Sequence, residues 1–400
     1  VAFGSDRCHV LDDPWQDGAL PLRFERADES ARLVEEYARS HALDGIVALG
    51  DRTVPVAARA CELLGIPYHS SASADICRDK SRSRERLRAA GLNIPAFTRF
   101  PLETDPRQII ACEQLTAGFP CVLKPLSLSG SRGVIRASNE EEFICAYERV
   151  RALLRSPDVR VMREESNEHI LVESYIDGAE LAVEGIVDRG NVTLLAIFDK
   201  PDPLEGPYFE ETIYVTPSRA PADTQKEIAQ TITRAVKALG LVHGPFHAEL
   251  RINSKGVWPL EVAARPIGGY CSRVLRLSSP ELGEGVPLEK VVIALALGRN
   301  IHPVRREEKA AGVMMIPIEK GGIFQNAEGL EEARATPGIE DVVLTIKPLH
   351  RLVPFPEGCS YPGFIFARGS SAAFVERALR MAHSKLRFNV TPDLPIAAGR

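Results

Sequence analysis

The sequence has no apolar run near the roughly 18 to 20 residues that a membrane-spanning helix needs, so nothing in it argues for a membrane partner. It has no basic excess either. Its 49 Lys and Arg stand against 54 Asp and Glu, a formal net charge of -5, which gives phosphate-backbone binding no electrostatic basis and leaves no nucleic-acid partner to expect. The eight cysteines are scattered, with no C-x-x-C pair and no histidine at zinc spacing. This argues against a zinc ribbon or a disulfide framework and fits reduced thiols in the cytoplasm. The G-x-x-x-x-G-K-[ST] loop and the G-x-G-x-x-G fingerprint are both missing, which removes the usual signs of a P-loop NTPase and of a dinucleotide-dependent oxidoreductase. Internal repeats and low-complexity segments are absent too.

What is present is the composition of a globular chain. Its 400 residues, 44% hydrophobic and 26% charged, can form two or three domains with sizeable cores. Between residues 30 and 70, SARLVEEYARSHAL is amphipathic, DGIVALG is a buried-strand run and RTVPVAARACELLG is helical again, which predicts a parallel α/β layer. The chain opens at Val1 in a loop-like stretch, GSDRCHVLDDP, and we expect an earlier strand and helix to be missing from this first domain. DICRDKSRSRERLRAA predicts one helix over 75–90, with Lys80 as one cation of a solvated face.

A second unit starts near Pro95. FPCVLKP reads as a strand, LSLSGSRGV as a Gly/Ser loop, NEEEFICAYERVRALL as a helix, and HILVESYIDGAELAVEGIVD as two strands about a turn at DGAE. In DTQKEIAQTITRAVKALG, Ile228, Ile232, Val236 and Leu239 fall on one helical face. From about His302, the runs GVMMIPI, DVVLTI and GFIFAR predict strands, and SAAFVERALRMAHSKL a covering helix.

The chemistry concentrates in HAELRINSKGVWPLEVAARPIGG, His247 to Gly269. Here NSKG reads as the turn of a hairpin, and a strand period of two can aim Glu249 and Glu261 at one face. Close carboxylates raise each other's pKa unless a cation lies between them, and Mg²⁺ is the hard ion that suits carboxylate oxygens. Arg265 can hold an anion, and Gly268 and Gly269 let backbone approach a ligand. For an isolated pair the blander reading, a solvated edge, would be preferred. In KPLSLSGSRGV, small residues allow a loop to close over a polyphosphate with Lys124 at its base, although such a loop is more often a plain turn. VESYIDGAE offers extended backbone to an adenine edge and Glu180 to a ribose, against the alternative of a hairpin with solvated acids.

In order and spacing, DKSRSRERLRAAGLNIP, FPCVLKPLSLSGSRGV, LVESYIDGAELAVEG and FHAELRINSKGVWPLEVAARPIGG resemble the ATP-grasp superfamily from about Gly45 onward. Within it, FDKPDPLEGPYFEETIYVTPS and the C-terminal unit resemble carboxylate-amine ligases of the dipeptide-forming L-amino-acid ligase type. The resemblance implies an α/β (α+β) ATP-grasp fold. It divides into a Rossmann-like domain over 1–94, a two-lobed core over 95–300 parting near 175, and a small α+β domain over 301–400. It also implies an ATP-dependent ligase that joins a small carboxylate and an amine through an acyl phosphate, in the cytoplasm and as a homodimer. Alternatives are a biotin-carboxylase-like or purine-pathway activity, or a lapsed ATP-binding module.

Carried over by resemblance, Lys80 and Lys124 meet the nucleotide phosphates, Gly130, Ser131 and Gly133 form the phosphate lid, and Glu173, Tyr175 and Ile176 form the adenine linker. Glu180 meets the ribose. Glu249 and Glu261 hold Mg²⁺, or Mn²⁺ in its place. Arg265 and Lys124 act on the transferring group, and Glu211 meets a substrate ammonium, with Arg265, Gly268 and Gly269 on the substrate side. Two departures stand out. Ala263 occupies the place of a metal-binding asparagine, and Tyr214 a place where relatives often carry histidine.

Overall fold

The computed structural model describes residues 1–6, 19–112, 115, 117–268 and 270–393. An eight-stranded antiparallel sheet organises it, in the spatial order Gly256–Ala263, Gly244–Asn253, Ala179–Asp188, Asn191–Asp199, Ile213–Thr216, Ala310–Met315, Gly363–Gly369 and Ile339–Leu344. Its central strands are covered on both faces. Along Ala179–Asp188, Leu181 and Val183 enter one core while Ala182 and Ile186 enter the other, as the period of two requires. The helix Ala222–Ala238 packs on the first face through Ile228, Ile232 and Val236, each fully buried and each contributing roughly 1.5 to 3 kcal/mol. The helix Leu288–Ala296 covers part of the second face through Leu288, Val291 and Leu295.

A separate four-stranded antiparallel sheet, ordered Phe97–Pro101, His169–Ser174, Cys121–Pro125 and Ile135–Ala137, forms the other lobe. The helix Glu140–Leu154 covers it with Phe143, Tyr147 and Val150. Its Asn139 cap accepts the Glu142 N–H at 2.9 Å, and three glutamates occupy its first turn, where the helix dipole favours them.

Several expectations change. HILVESYIDGAELAVEGIVD is not a hairpin: His169–Ser174 and Ala179–Asp188 belong to different sheets, and 175–178 is the crossing between lobes. The expected helix over 75–90 is two helices, Ser71–Arg78 and Lys80–Ala89, because Asp79 is extended and its carboxylate caps the second, accepting the Ser81 N–H at 2.8 Å. DGIVALG forms no strand. Ala48 is buried, but the segment has no ladder partner, and the parallel pairing among the described residues is the short Phe3–Ser5 with Ala19–Pro21. The strands at 310–315, 339–344 and 363–369 continue the core sheet rather than building a sheet of their own, although Arg351–Leu352, Gly322–Glu328 and Arg387–Thr391 do form a small separate one. Most of the opening loop lies outside the described residues.

The hairpin at the sheet's edge forms where the sequence places it. Its two-residue loop closes between Asn253 and Gly256, which takes a φ of +105°. The Asn253 Oδ1 accepts the Lys255 N–H at 2.9 Å and the Trp258 indole N–H at 3.0 Å. Glu249 and Glu261 are direct cross-strand partners. A bulge follows immediately, and there the Leu260 carbonyl, released from the ladder, accepts the Arg84 guanidinium at 2.5 Å.

Candidate active site

Between the four-stranded lobe and the second face of the large sheet lies a cavity of about 740 Å³. Phe246, Ala248 and Leu250 point into the core, so the alternate residues His247, Glu249 and Arg251 point the other way, onto the cavity wall. Lys80, Lys124, Glu173, Glu261, Arg265 and Gly268 also line it. Gly269 lies outside the described residues. Gly133 does not line the cavity, whereas Gly130 and Ser131 do.

The Arg-rich helix is not simply a solvated face. Lys80 and Arg84, four residues apart, are buried on its inner side, Arg84 completely. Arg84 and Lys124 both grip Glu173, Nε to Oε1 at 2.6 Å and Nζ to Oε2 at 2.5 Å. Burial alone would raise the Glu173 pKa, but the two cations outweigh it and hold the carboxyl at about 2. Burial lowers that of Lys124. Glu173 is thus a buried counter-ion beneath the cavity. Lys80 donates to the Leu128 carbonyl at 3.0 Å and lies 3.3 Å from Glu261 Oε2.

Glu249 has different company. Oxygens of Glu180, Glu211 and Glu249 lie within 4.8 Å of one another, and Lys200 Nζ sits among them at 2.9, 2.5 and 3.1 Å. Lys200 packs over the Tyr214 ring, 4.9 Å from its centroid. Burial would lower the Lys200 pKa, but the three acids reverse this and raise it well above the usual value. Burial, with Glu249 adding to it against the pull of Lys200, pushes Glu211 up to about 7. Burial works against ionised Glu249 as well, yet Lys200 and His247 hold it well below the usual carboxylate range. The sequence reading did not single out Lys200. A signal was there, since it continues the inward alternation of Ala196 and Phe198.

Glu180 also accepts Arg251 Nε at 2.9 Å, and Arg251 donates to the Ile176 carbonyl at 2.6 Å, which fixes the inter-lobe linker. The Ser174 and Tyr175 N–H groups bond the Ala96 and Pro120 carbonyls at 2.8 and 3.1 Å. The loop at 129–133 takes left-handed backbone at Gly130, Ser131 and Gly133, and the Gly133 N–H bonds the Pro356 carbonyl at 2.8 Å. A Cβ on Gly133 would meet Leu153 Cδ2 at 2.8 Å and Pro125 Cγ at 2.9 Å. Arg265, beyond the hairpin, donates from Nε to Asp51 at 2.9 Å and from Nη1 to the Pro266 carbonyl at 3.0 Å. Asp51, another residue the sequence reading passed over, brings the N-terminal unit onto the cavity wall.

Comparison with known proteins matches this two-lobed architecture. Residues 117–274 match the ATP-grasp domain, 5–68 the ATP-grasp N-terminal domain, and 314–391 the L-amino acid ligase C-terminal domain 2. The chain belongs to the ATP-grasp superfamily. Among solved structures, this ATP-grasp chain resembles the L-amino acid ligase from Bacillus licheniformis, with a TM-score of 0.77 and 28% identity, covering 93% of this chain and 88% of that one. It is 27% identical to carnosine synthase 1 of Gallus gallus over 76% of this chain and 34% of that protein. It is 28% identical to the alanine--anticapsin ligase of Bacillus subtilis (strain 168) over 60% of this chain and 52% of that protein. Two of the curated relatives are therefore spanned for only about a third and a half of their length. ATP-grasp enzymes use ATP, and no helix among the described residues is long and apolar enough to cross a membrane.

Proposed function

We propose that this ATP-grasp chain is a carboxylate-amine ligase that joins two small molecules, at least one an amino acid, into an amide while converting ATP to ADP and phosphate. The observation that carries the reading is the convergence on one cavity of Lys80, Lys124, the facing pair Glu249 and Glu261, and Arg265. Val122, Ile176 and Leu260 line the cavity and offer apolar contact to a base, and the Ile176 N–H, which has no bond among the described residues, suits an adenine acceptor. Glu180 is available to a ribose at the same end, and Gly130 and Ser131 offer backbone to the phosphates.

The donor set fits a hard divalent ion. Glu249 and Glu261 are partly open to the cavity, and Glu180 and Glu211 stand beside Glu249. Glu249 and Glu261 would hold Mg²⁺, or Mn²⁺, which when bound offsets charge on the phosphoryl oxygens. Ala263 offers no ligand oxygen at the neighbouring position.

In the first step a substrate carboxylate oxygen attacks the γ-phosphorus. The bond to the β-phosphate oxygen breaks, ADP leaves and an acyl phosphate forms. Lys80 and Lys124 neutralise the phosphates and Arg265 orients the carboxylate. An amine nitrogen then attacks the acyl carbon, phosphate leaves with the C–O electron pair, and the amine gives up a proton. Glu211, held near pH 7 by burial, is suited to meet the ammonium and accept that proton. Exclusion of water by the two lobes protects the acyl phosphate. A homodimer is the proposed assembly, to be read by light scattering.

The test is ADP release and product mass across pairs of amino acids. Release that needs both partners, yields a product lighter by one water than their sum, and disappears in Glu261→Ala is the expected result. Ala263 favours a second reading, a lapsed binding module, which would show as ATP binding with no ADP under any pair.

A further inference from the structure

Glu184 is a carboxylate with no solvent exposure at the middle of Ala179–Asp188, in a run where Ala182, Val183, Ile186 and Val187 are buried as well. Among the described residues, no lysine or arginine lies within ion-pair distance of it. Its oxygens accept His247 Nδ1 at 3.2 Å and the Ile267 N–H at 3.2 and 3.1 Å. Burying an acid this way is costly, and an apolar residue of similar volume would usually make a strand core at least as stable. What the acid holds accounts for its presence, because both partners line the cavity.

His247 is the direct cross-strand partner of Glu184. A carboxylate at Nδ1 keeps a proton on that nitrogen and fixes the ring plane, so Nε2 is turned to the cavity, 3.8 Å from Glu249 Oε1. Ile267 follows Arg265 and Pro266, and its N–H anchors the end of the turn that carries the Arg265 fork. One buried carboxylate therefore ties together the strand bearing Glu249 and the segment bearing Arg265.

We propose that Glu184 is a positioning residue for the ligase reaction: through His247 it aims Nε2 at the transferring group beside Glu249, and through the Ile267 amide it sets the placement of Arg265. His247 then touches the reacting oxygens, while Glu184 acts only through its partners. This rests on the ligase reading above.

The experiment uses the full chain with Glu184→Gln, His247→Gln and the double variant, and the amino-acid pair that the unchanged protein accepts. Steady-state ADP release, ATP binding by calorimetry and thermal melting are measured on each. Glu184→Gln is expected to lower kcat about 10- to 100-fold, the cost of a misplaced group, with ATP affinity within about threefold, a change smaller than one good hydrogen bond makes. The double variant is expected to be slower than His247→Gln by less than the factor that Glu184→Gln costs alone, because the share of that cost that runs through His247 is already gone and only the Arg265 share remains. A lower melting temperature with kcat unchanged would make Glu184 merely structural and overturn the inference. So would losses that multiply in the double variant, or a His247→Gln protein with undiminished kcat, a variant that tests the idea even if Glu184→Gln fails to fold. An unchanged protein that releases no ADP with any pair overturns the ligase reading itself, and this inference with it.

Discussion

At the scale of residues, opposite charges in this cavity are arranged so that few stand alone. Glu173 is the extreme case, with about 3% of its side chain exposed and two cations on it. Its folded pKa of about 2 lies below the ordinary value of 4.5. The stability it contributes is therefore present above about pH 4.5 and lost as pH falls towards 2, on the order of 3 kcal/mol in all. In Glu173→Gln, urea melts should show that acid-dependent portion missing, and at neutral pH a protein weakened by about 3 to 5 kcal/mol, since Arg84 and Lys124 lose their counter-charge. Lys200→Met makes the opposite pH prediction. Without the ammonium, the neighbouring Glu211 and Glu249 raise one another's pKa, so the folded state resists ionisation and stability falls as pH rises. The melting deficit of Lys200→Met should widen from about pH 5 to about pH 8, and a deficit that is flat with pH would contradict this account. The two groups differ in how legible they were. Lys80 and Arg84 share a helical face with Leu87, a pattern visible in the sequence once the helix is assumed to be buried on that side. Glu184 and Asp51 gave no such sign, because their partners are far away in sequence and only the fold brings them near.

At the scale of elements, local chemistry carried most of what could be read. The hairpin from 244 to 263 was legible because Asn253 and Gly256 are turn residues and its strands alternate. Its Glu249–Glu261 pairing follows from that register. The helix Ala222–Ala238 announced itself through a period of 3.6. What failed were inferences about which strand pairs with which. The segments on either side of DGAE are strands, as the sequence predicts, but nothing local says that they join different sheets. Asp79 was hidden among arginines, where a cap is easily taken for one more polar residue. The loop at 129–133, proposed to meet the phosphates, supplies a test at this scale. Gly133→Ala would force a side chain into left-handed backbone and against Pro125 and Leu153, a strain of about 1 to 3 kcal/mol. The expected outcome is a lower melting temperature and a raised KM for ATP. A variant that binds ATP normally would show that this glycine does not shape the loop.

At the scale of the whole molecule, the loop beneath the C-terminal unit is clasped to the loop at 129–133. The Gly133 N–H bonds Pro356, Arg132 Nε donates to the Glu357 carbonyl at 2.7 Å, and Arg149 pairs with the Glu357 carboxylate. Glu357→Ala removes only the exposed ion pair, so its stability should change by less than about 1 kcal/mol. An accompanying rise in KM for ATP would reveal coupling between the two loops, measurable by titrating ATP at saturating amino acids.

The Ala310–Met315 strand lies in the interior of the large sheet, hydrogen-bonded to Ile213–Thr216 on one side and to Gly363–Gly369 on the other. For anyone recombining relatives of this chain, that placement decides where a seam can go. A chimera joined near residue 300 would import three of the eight strands of the sheet and ask them to match Ile213 to Thr216 rung by rung, whereas a graft that takes 213–216 along with the C-terminal strands moves the interface to the single rung between Asp199 and Val215.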